Sequence, residues 1–227
     1  MKMLLSAACA TFALSLALPA SAAIIVGDAS GPGTSGFTKI ANPTGLVSVG
    51  NRTSQNNNLN QSRVYGFDEK QNVQLPANLT VNLGGATSLL NNGTINAGSR
   101  VASHFLFFDP RFVGIAGGSV TFSHRILGVL RTSGSQTATD ALFGASGVTY
   151  VPQSARGLEL FDVALWTSGN NKTLNYAWTA SNPGDHLRVL TAVPEPATWA
   201  MMILGFGLIG GALRQAKTRP ATRVRFA

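Results

Sequence analysis

Val101-Ala102-Ser103-His104-Phe105-Leu106-Phe107-Phe108-Asp109 is apolar on both faces of an extended chain. With a period of two, Val101, Ser103, Phe105 and Phe107 form one face and Ala102, His104, Leu106 and Phe108 the other. A strand of this kind needs cover above and below, so the segment predicts the central strand of a sheet. Outward from it, Leu79, Val81 and Leu83 alternate with Thr80 and Asn82. Further strand candidates lie at 45–49, 62–67, 118–124, 126–131, 158–166, 173–179 and 186–192. Asn91-Asn92-Gly93, Gly117-Gly118, Ser168-Gly169-Asn170-Asn171 and Asn182-Pro183-Gly184-Asp185 read as the turns between them. Short strands at this spacing predict an all-β fold, a single β-sandwich or jelly-roll-like ectodomain over 62–193. Thr137–Phe143 reads as a short helix or turn between sheets. Residues 23–61, rich in Gly, Asn, Ser and Thr through Gln55-Asn56-Asn57-Asn58, read as loops with two or three edge strands.

The two ends are of another kind. Lys2, then an Ala/Leu-rich run to Leu18 and the small residues Ala20-Ser21-Ala22, predict a secretory leader over 1–22 with the mature chain starting at Ala23. Cys9, the only cysteine, leaves with it, so the mature chain holds no thiol and no disulfide. At the other end Pro194 and Pro196 stop any helix from upstream, and Pro196 suits the first turn of a new one. From Ala197 to Leu213 no side chain is charged. At roughly 1.5 Å per residue this run reaches about 25 Å, at the short end of a bilayer span. Trp199 stands where an interfacial anchor would stand. Arg214, Lys217, Arg219, Arg223 and Arg225 follow as a stop-transfer segment, which places the C-terminal residues 214–227 in the cytoplasm and the ectodomain outside. Gly207 and Gly211, four apart, read as the glycines common in membrane helices, with a small-residue helix contact as the alternative.

Pro194-Glu195-Pro196-x-x-Trp199-Ala200, the apolar run with Gly205, Gly207, Gly210 and Gly211, and the basic residues behind it together resemble the PEPxxWA variant of the PEP-CTERM sorting signal. The resemblance covers residues 194–227 alone, and the cations are more spread than an arginine cluster. It implies that the chain is the substrate of an exosortase, a membrane-bound cysteine protease of Gram-negative bacteria that recognises Pro194-Glu195-Pro196. It implies a precursor tethered in the inner membrane and a destination at the cell surface or in the extracellular biofilm matrix. Residues 100–193 are more loosely similar to domains often found ahead of this tail, and that likeness implies no function.

The formal charge of +8 invites a nucleic-acid reading, but the charge is topological. Without Lys2 and the five tail cations, 11 of the 17 Lys and Arg remain in 23–193, against eight acids once Glu195 is set aside. An ectodomain near +3 is no nucleic-acid binder. Candidate chemistry is sparse. His104, His124 and His186 have no i, i+2 or i, i+4 ligand spacing, although His104 and His124 could lie on neighbouring strands near Asp109 or Asp140. No Gly-x-Ser-x-Gly elbow is present. Of the acids only Asp68-Glu69 and Glu159/Asp162 are close in sequence. The chain is therefore expected to be no enzyme and to carry no catalytic, cofactor or metal residues, a structural calcium ion on its many backbone and Asn oxygens being the one cofactor left open. Trp166, Tyr176 and Trp178 fall together late in the ectodomain. They read as sandwich core, or in the alternative as a platform stacking on sugar rings of an extracellular polysaccharide.

Overall fold

Arg100–Phe108 is a strand in which every residue from Val101 to Phe108 is buried, and the rest of the domain is arranged about it. The computed structural model describes residues 21–41, 43, 47–49, 59, 61–83, 92–150, 156–159, 162–166, 171–181, 184–193, 205–211 and 213–214. Two units are present, Ala20–Pro194 and the pair of end segments Met1–Pro19 and Glu195–Ala227.

The first unit is mostly β-sheet. In chain order its elements are β1 (Ile24–Ser30), β2 (Phe37–Lys39), β3 (Val47–Val49), β4 (Val64–Asp68), β5 (Val73–Gln74), β6 (Leu79–Asn82), β7 (Asn92–Ile95), β8 (Arg100–Phe108), β9 (Gly114–Phe122) and β10 (Ile126–Leu130). There follow α1 (Ser133–Ala138), α2 (Asp140–Phe143), β11 (Val148–Tyr150), β12 (Val163–Trp166), β13 (Thr173–Ala180) and β14 (Asp185–Ala192). A four-stranded sheet runs β1-β9-β13-β12, and an eight-stranded one runs β2-β4-β8-β14-β10-β6-β7 with β5 also on β8. β3 and β11 form a small parallel pair.

The two large sheets share one core. Ile24, Ala116, Val120, Phe122, Leu174, Tyr176 and Trp178 from the smaller sheet meet Val64, Leu106, Phe108, Val129, Leu187 and Val189 from the larger. The opposite face of the larger sheet is covered too, by one cluster around Tyr65, Phe67, Phe105, Phe107 and Ala145 and another around Leu75, Val101, Leu130, Phe143 and Leu190. β8 thus feeds alternate residues into different cores, which is why it is apolar on both sides.

Most strand expectations match the observed elements, and the helical reading of Thr137–Phe143 resolves into α1 and α2. Three readings need correction. Asn92-Gly93 is no turn but the start of β7, paired with β6. Leu83 does not continue the buried face of Val81, being 39% exposed where Val81 is 2%. Gly117-Gly118 does not separate strands but lies within β9, opposite β1. A Cβ at Gly118 would run into the backbone carbonyl of Asp28, so this glycine marks close approach of two backbones. At Gly117 the nearest atom is 3.8 Å away.

In the second unit residues 205–211 and 213–214 are helical, with Phe206, Leu208, Ile209 and Leu213 exposed. Among the described residues no helix is long and apolar enough to cross a membrane. The expected span 197–213 is described only at 205–211 and 213, and the expected leader over 1–22 only at Ser21 and Ala22.

Gly118→Ala should lower stability by about 1–3 kcal/mol through overpacking against β1, while Gly117→Ala stays near wild type. Urea unfolding of the two variants checks the pair.

Candidate functional site

The sorting motif follows the fold at once. β14 ends at Ala192, two residues before Pro194, and is held on both sides, by β8 over Asp185–Ala192 and by β10 over Arg188–Thr191. Pro194, Glu195, Pro196 and Trp199 lie outside the described residues, as do Lys217, Arg219, Arg223 and Arg225, while Arg214 is helical and exposed. At the expected leader junction the N–H of Ala22 donates to Gln71 Oε1 at 3.0 Å, that of Ala23 to Ser123 Oγ at 2.9 Å and that of Ile24 to Asp68 Oδ1 at 2.9 Å. Ala20 lies outside the described residues.

Among the described residues two charged constellations stand out, and sequence spacing showed only the Glu159/Asp162 part of the second. The first joins Glu69, Arg188, Asp140 and Arg156. Glu69 and Arg188 have side chains wholly out of water and pair in fork geometry, Nε to Oε2 at 2.7 Å and an Nη to Oε1 at 2.8 Å. The other Arg188 donors reach the Gln136 carbonyl, Thr139 Oγ1 and Asp140 Oδ1. Ser103 and Tyr150 hydroxyls donate to the Glu69 carboxylate, and Arg156 chelates Asp140. Both guanidinium groups lie over the rings of Phe105 and Tyr150. Burial and the Glu69 charge push the Tyr150 hydroxyl far above the usual phenol range. A shallow hollow of about 390 Å³ opens beside this network, lined by Lys70, Asp140, Gly144, Val148 and Tyr150. Two acids and two arginines paired with one another are a structural lock.

The second constellation is unbalanced. Glu159 and Asp162 precede β12 and Asp185 opens β14, yet one carboxylate oxygen of each lies within 4.8 Å of the others. Asp162 accepts from the N–H groups of Thr179 at 2.9 Å and Glu159 at 2.8 Å. Asp185 is 1% exposed, and neither of its oxygens meets a donor among the described residues. Burial first, then the Glu159 and Asp162 carboxyls, push Asp185 up to about 9 and raise Asp162 above its ordinary value. Burial would raise Glu159 as well, but the neighbouring Asp185 and Asp162 carboxyls outweigh it and hold Glu159 below its ordinary value. The Glu159/Asp162 spacing was visible in sequence. Asp185 was hidden as the last residue of a turn signal.

The histidines do not converge. His104, on β8 of the larger sheet, bonds Asp68 at 2.7 Å and Thr191 at 2.9 Å. His124 follows β9 of the smaller sheet and meets Ser123, so the two are not on neighbouring strands. His186 is fully buried beside Phe105 and Phe107, and burial, then Arg156, pushes it down to about 3. Tyr176 and Trp178 correct the stacking alternative. They are 3% and 1% exposed in the inter-sheet core, with their rings 4.6 Å apart, and offer no face to a sugar. The Trp166 side chain lies outside the described residues.

Residues 192–217 match the family model described as PEP-CTERM protein-sorting motif. The chain carries that sorting signal, which implies export, recognition by an exosortase and membrane-anchored processing at this end. No curated protein and no solved structure matches the chain.

Removing one member of the buried lock should be severe: Glu69→Ala leaves Arg188 charged and dry, at about 3–5 kcal/mol in chemical denaturation. Asp68 titrates differently. Burial raises its carboxyl, but bonds from His104, Lys39 and the Ile24 N–H outweigh this and hold it below 3.8. Its contribution is therefore full above the unfolded value of about 3.9 and lost as pH falls through the lower folded value. Asp68→Asn should be less stable than wild type at pH 7, the gap closing below about pH 4 in pH-resolved thermal melts.

Proposed function

We propose that the chain is a non-enzymatic, exported envelope or extracellular-matrix protein. In this reading a two-sheet β-sandwich over 23–193 faces outward from the inner membrane of a Gram-negative cell, held by the span 197–213. A processing protease of the exosortase type then cuts at Pro194-Glu195-Pro196 and frees it for the cell surface or the medium. The observation that carries the reading is the sorting motif at 192–217, set directly behind the last core strand.

That placement has a physical consequence. Among the described residues every strand pairing of the domain closes at or before Ala192, so a cut at the motif removes none of these rungs of the sheet. The uncut precursor and the released domain share one core. Charge supports the orientation, since five cations follow the apolar run and Lys and Arg stay on the cytoplasmic side. The exposed Phe206, Leu208, Ile209 and Leu213 on the helical residues suit lipid better than water. The non-enzymatic part of the proposal draws on the lock of Glu69, Arg188, Asp140 and Arg156, whose charges are spent on one another. Sugar stacking has no comparable support, with Tyr176 and Trp178 in the core.

Replacing Pro194-Glu195-Pro196 by Ala-Ala-Ala should leave a full-length, membrane-retained protein in a host that holds the processing enzyme. Intact mass and N-terminal sequence of the membrane and medium fractions check this. Unchanged release of the mutant would sink the reading.

A further inference from the structure

We propose that Glu159, Asp162 and Asp185 form a calcium site that clamps the two large sheets together. Asp162 lies immediately before β12, on the four-stranded sheet, and Asp185 is the first residue of β14, in the eight-stranded one. An ion shared between them would bridge the sheets at one end of their common core.

Asp185 is the most deeply buried of the three. A carboxylate 1% exposed and without a donor is expensive to keep charged, and proteins resolve that cost with a cation, a donor or a proton. Among the described residues no donor reaches it, and its close neighbours are two further carboxylates. Three such groups with oxygens within 4.8 Å repel one another as anions, so no single proton quiets them all. A divalent cation does. The surroundings have the form of a coordination shell: Thr179 and Glu159 N–H groups already orient Asp162, and the exposed Glu159 leaves one side open for entry and for water. Arg131 donates to the backbone carbonyls of Glu159 and Asp162, which fixes the loop that carries the two acids.

The donor set selects the ion. All three ligands are hard oxygens, which suits calcium or magnesium rather than zinc. His186, next to Asp185, points to the opposite face of β14 and sits between Phe105 and Phe107. A site assembled from a loop and a separate strand, with water on one side, suits the flexible 6–8-oxygen shell of calcium better than the strict octahedron of magnesium. Extracellular calcium modules bind with Kd of about 10⁻⁴–10⁻³ M, and that is the range expected here.

The test uses the full-length chain in metal-free mild detergent, with calcium chloride and magnesium chloride as probes. Thermal melts and isothermal titration should show a saturable rise in the unfolding midpoint and a single calcium site, with little response to magnesium at equal concentration. Asp185→Asn removes a ligand oxygen and should lose the calcium response. Glu159→Gln changes an exposed side chain, folds regardless, and should raise the half-saturating calcium concentration at least about tenfold. A wild-type midpoint that calcium does not move overturns the proposal. So does an equal calcium response in wild type and both variants, which would place the ion elsewhere.

Discussion

Arg188 stays charged and wholly out of water because each of its five N–H donors finds an acceptor. Glu69 takes two in fork geometry, and the Gln136 carbonyl, Thr139 Oγ1 and Asp140 take the others. Glu69, equally dry, is completed by the Ser103 and Tyr150 hydroxyls. Four segments far apart in sequence therefore meet at one ion pair: the end of β4, the middle of β8, the α1–α2 excursion and β14. Apolar packing alone would let that excursion slide over the sheet, whereas directional bonds at a buried charge allow one placement.

That placement gives β8 its second cover. Phe105 and Phe107 would otherwise face water, and the segment from α1 to β11 brings Ala145, Val148 and Tyr150 onto them. Gln136 adds two bonds from its buried amide to the carbonyls of Leu130 and His186, tying α1 to β10 and β14. The larger sheet is thus covered by its partner sheet on one face and by its own connections on the other. The sequence Val101–Phe108, apolar at every pleat but for Ser103 and His104, is the local imprint of that arrangement, and the two polar exceptions are the residues that reach Glu69 and Asp68.

What was legible in the sequence was what period and composition encode. β8 announced itself by apolarity on both faces, and the sorting signal by motif, apolar run and charge in order. What was hidden depends on long-range pairing. Glu69 and Arg188 stand 119 positions apart, and no spacing rule connects them. Asp185 looked like the end of a turn because Asn182-Pro183-Gly184 precedes it, although its partners are set by how β14 docks near β12 and β13. Gly117-Gly118 was misread because glycine marks a turn and a close backbone contact with the same letter, and only the pairing with Ala29 and Ser30 tells them apart.

The inter-sheet core is bracketed along β14 by two polar groups of unlike completeness. Asp185 and Thr191 stand six positions apart on the same face, roughly 20 Å along the strand. At the Thr191 end, His104 bridges Thr191 to Asp68, whose carboxylate also holds Lys39 at 2.8 Å and the Ile24 N–H, so negative charge and donors balance. At the Asp185 end three carboxylates converge, and Arg131 donates to the backbone carbonyls of Glu159 and Asp162. The balanced end lies where β1 enters the fold, and the unbalanced end where β14 begins the run toward the sorting motif. A domain closed by its own charges at one end and by a borrowed cation at the other would be fully clamped only where that cation is plentiful, which for calcium is outside the cell.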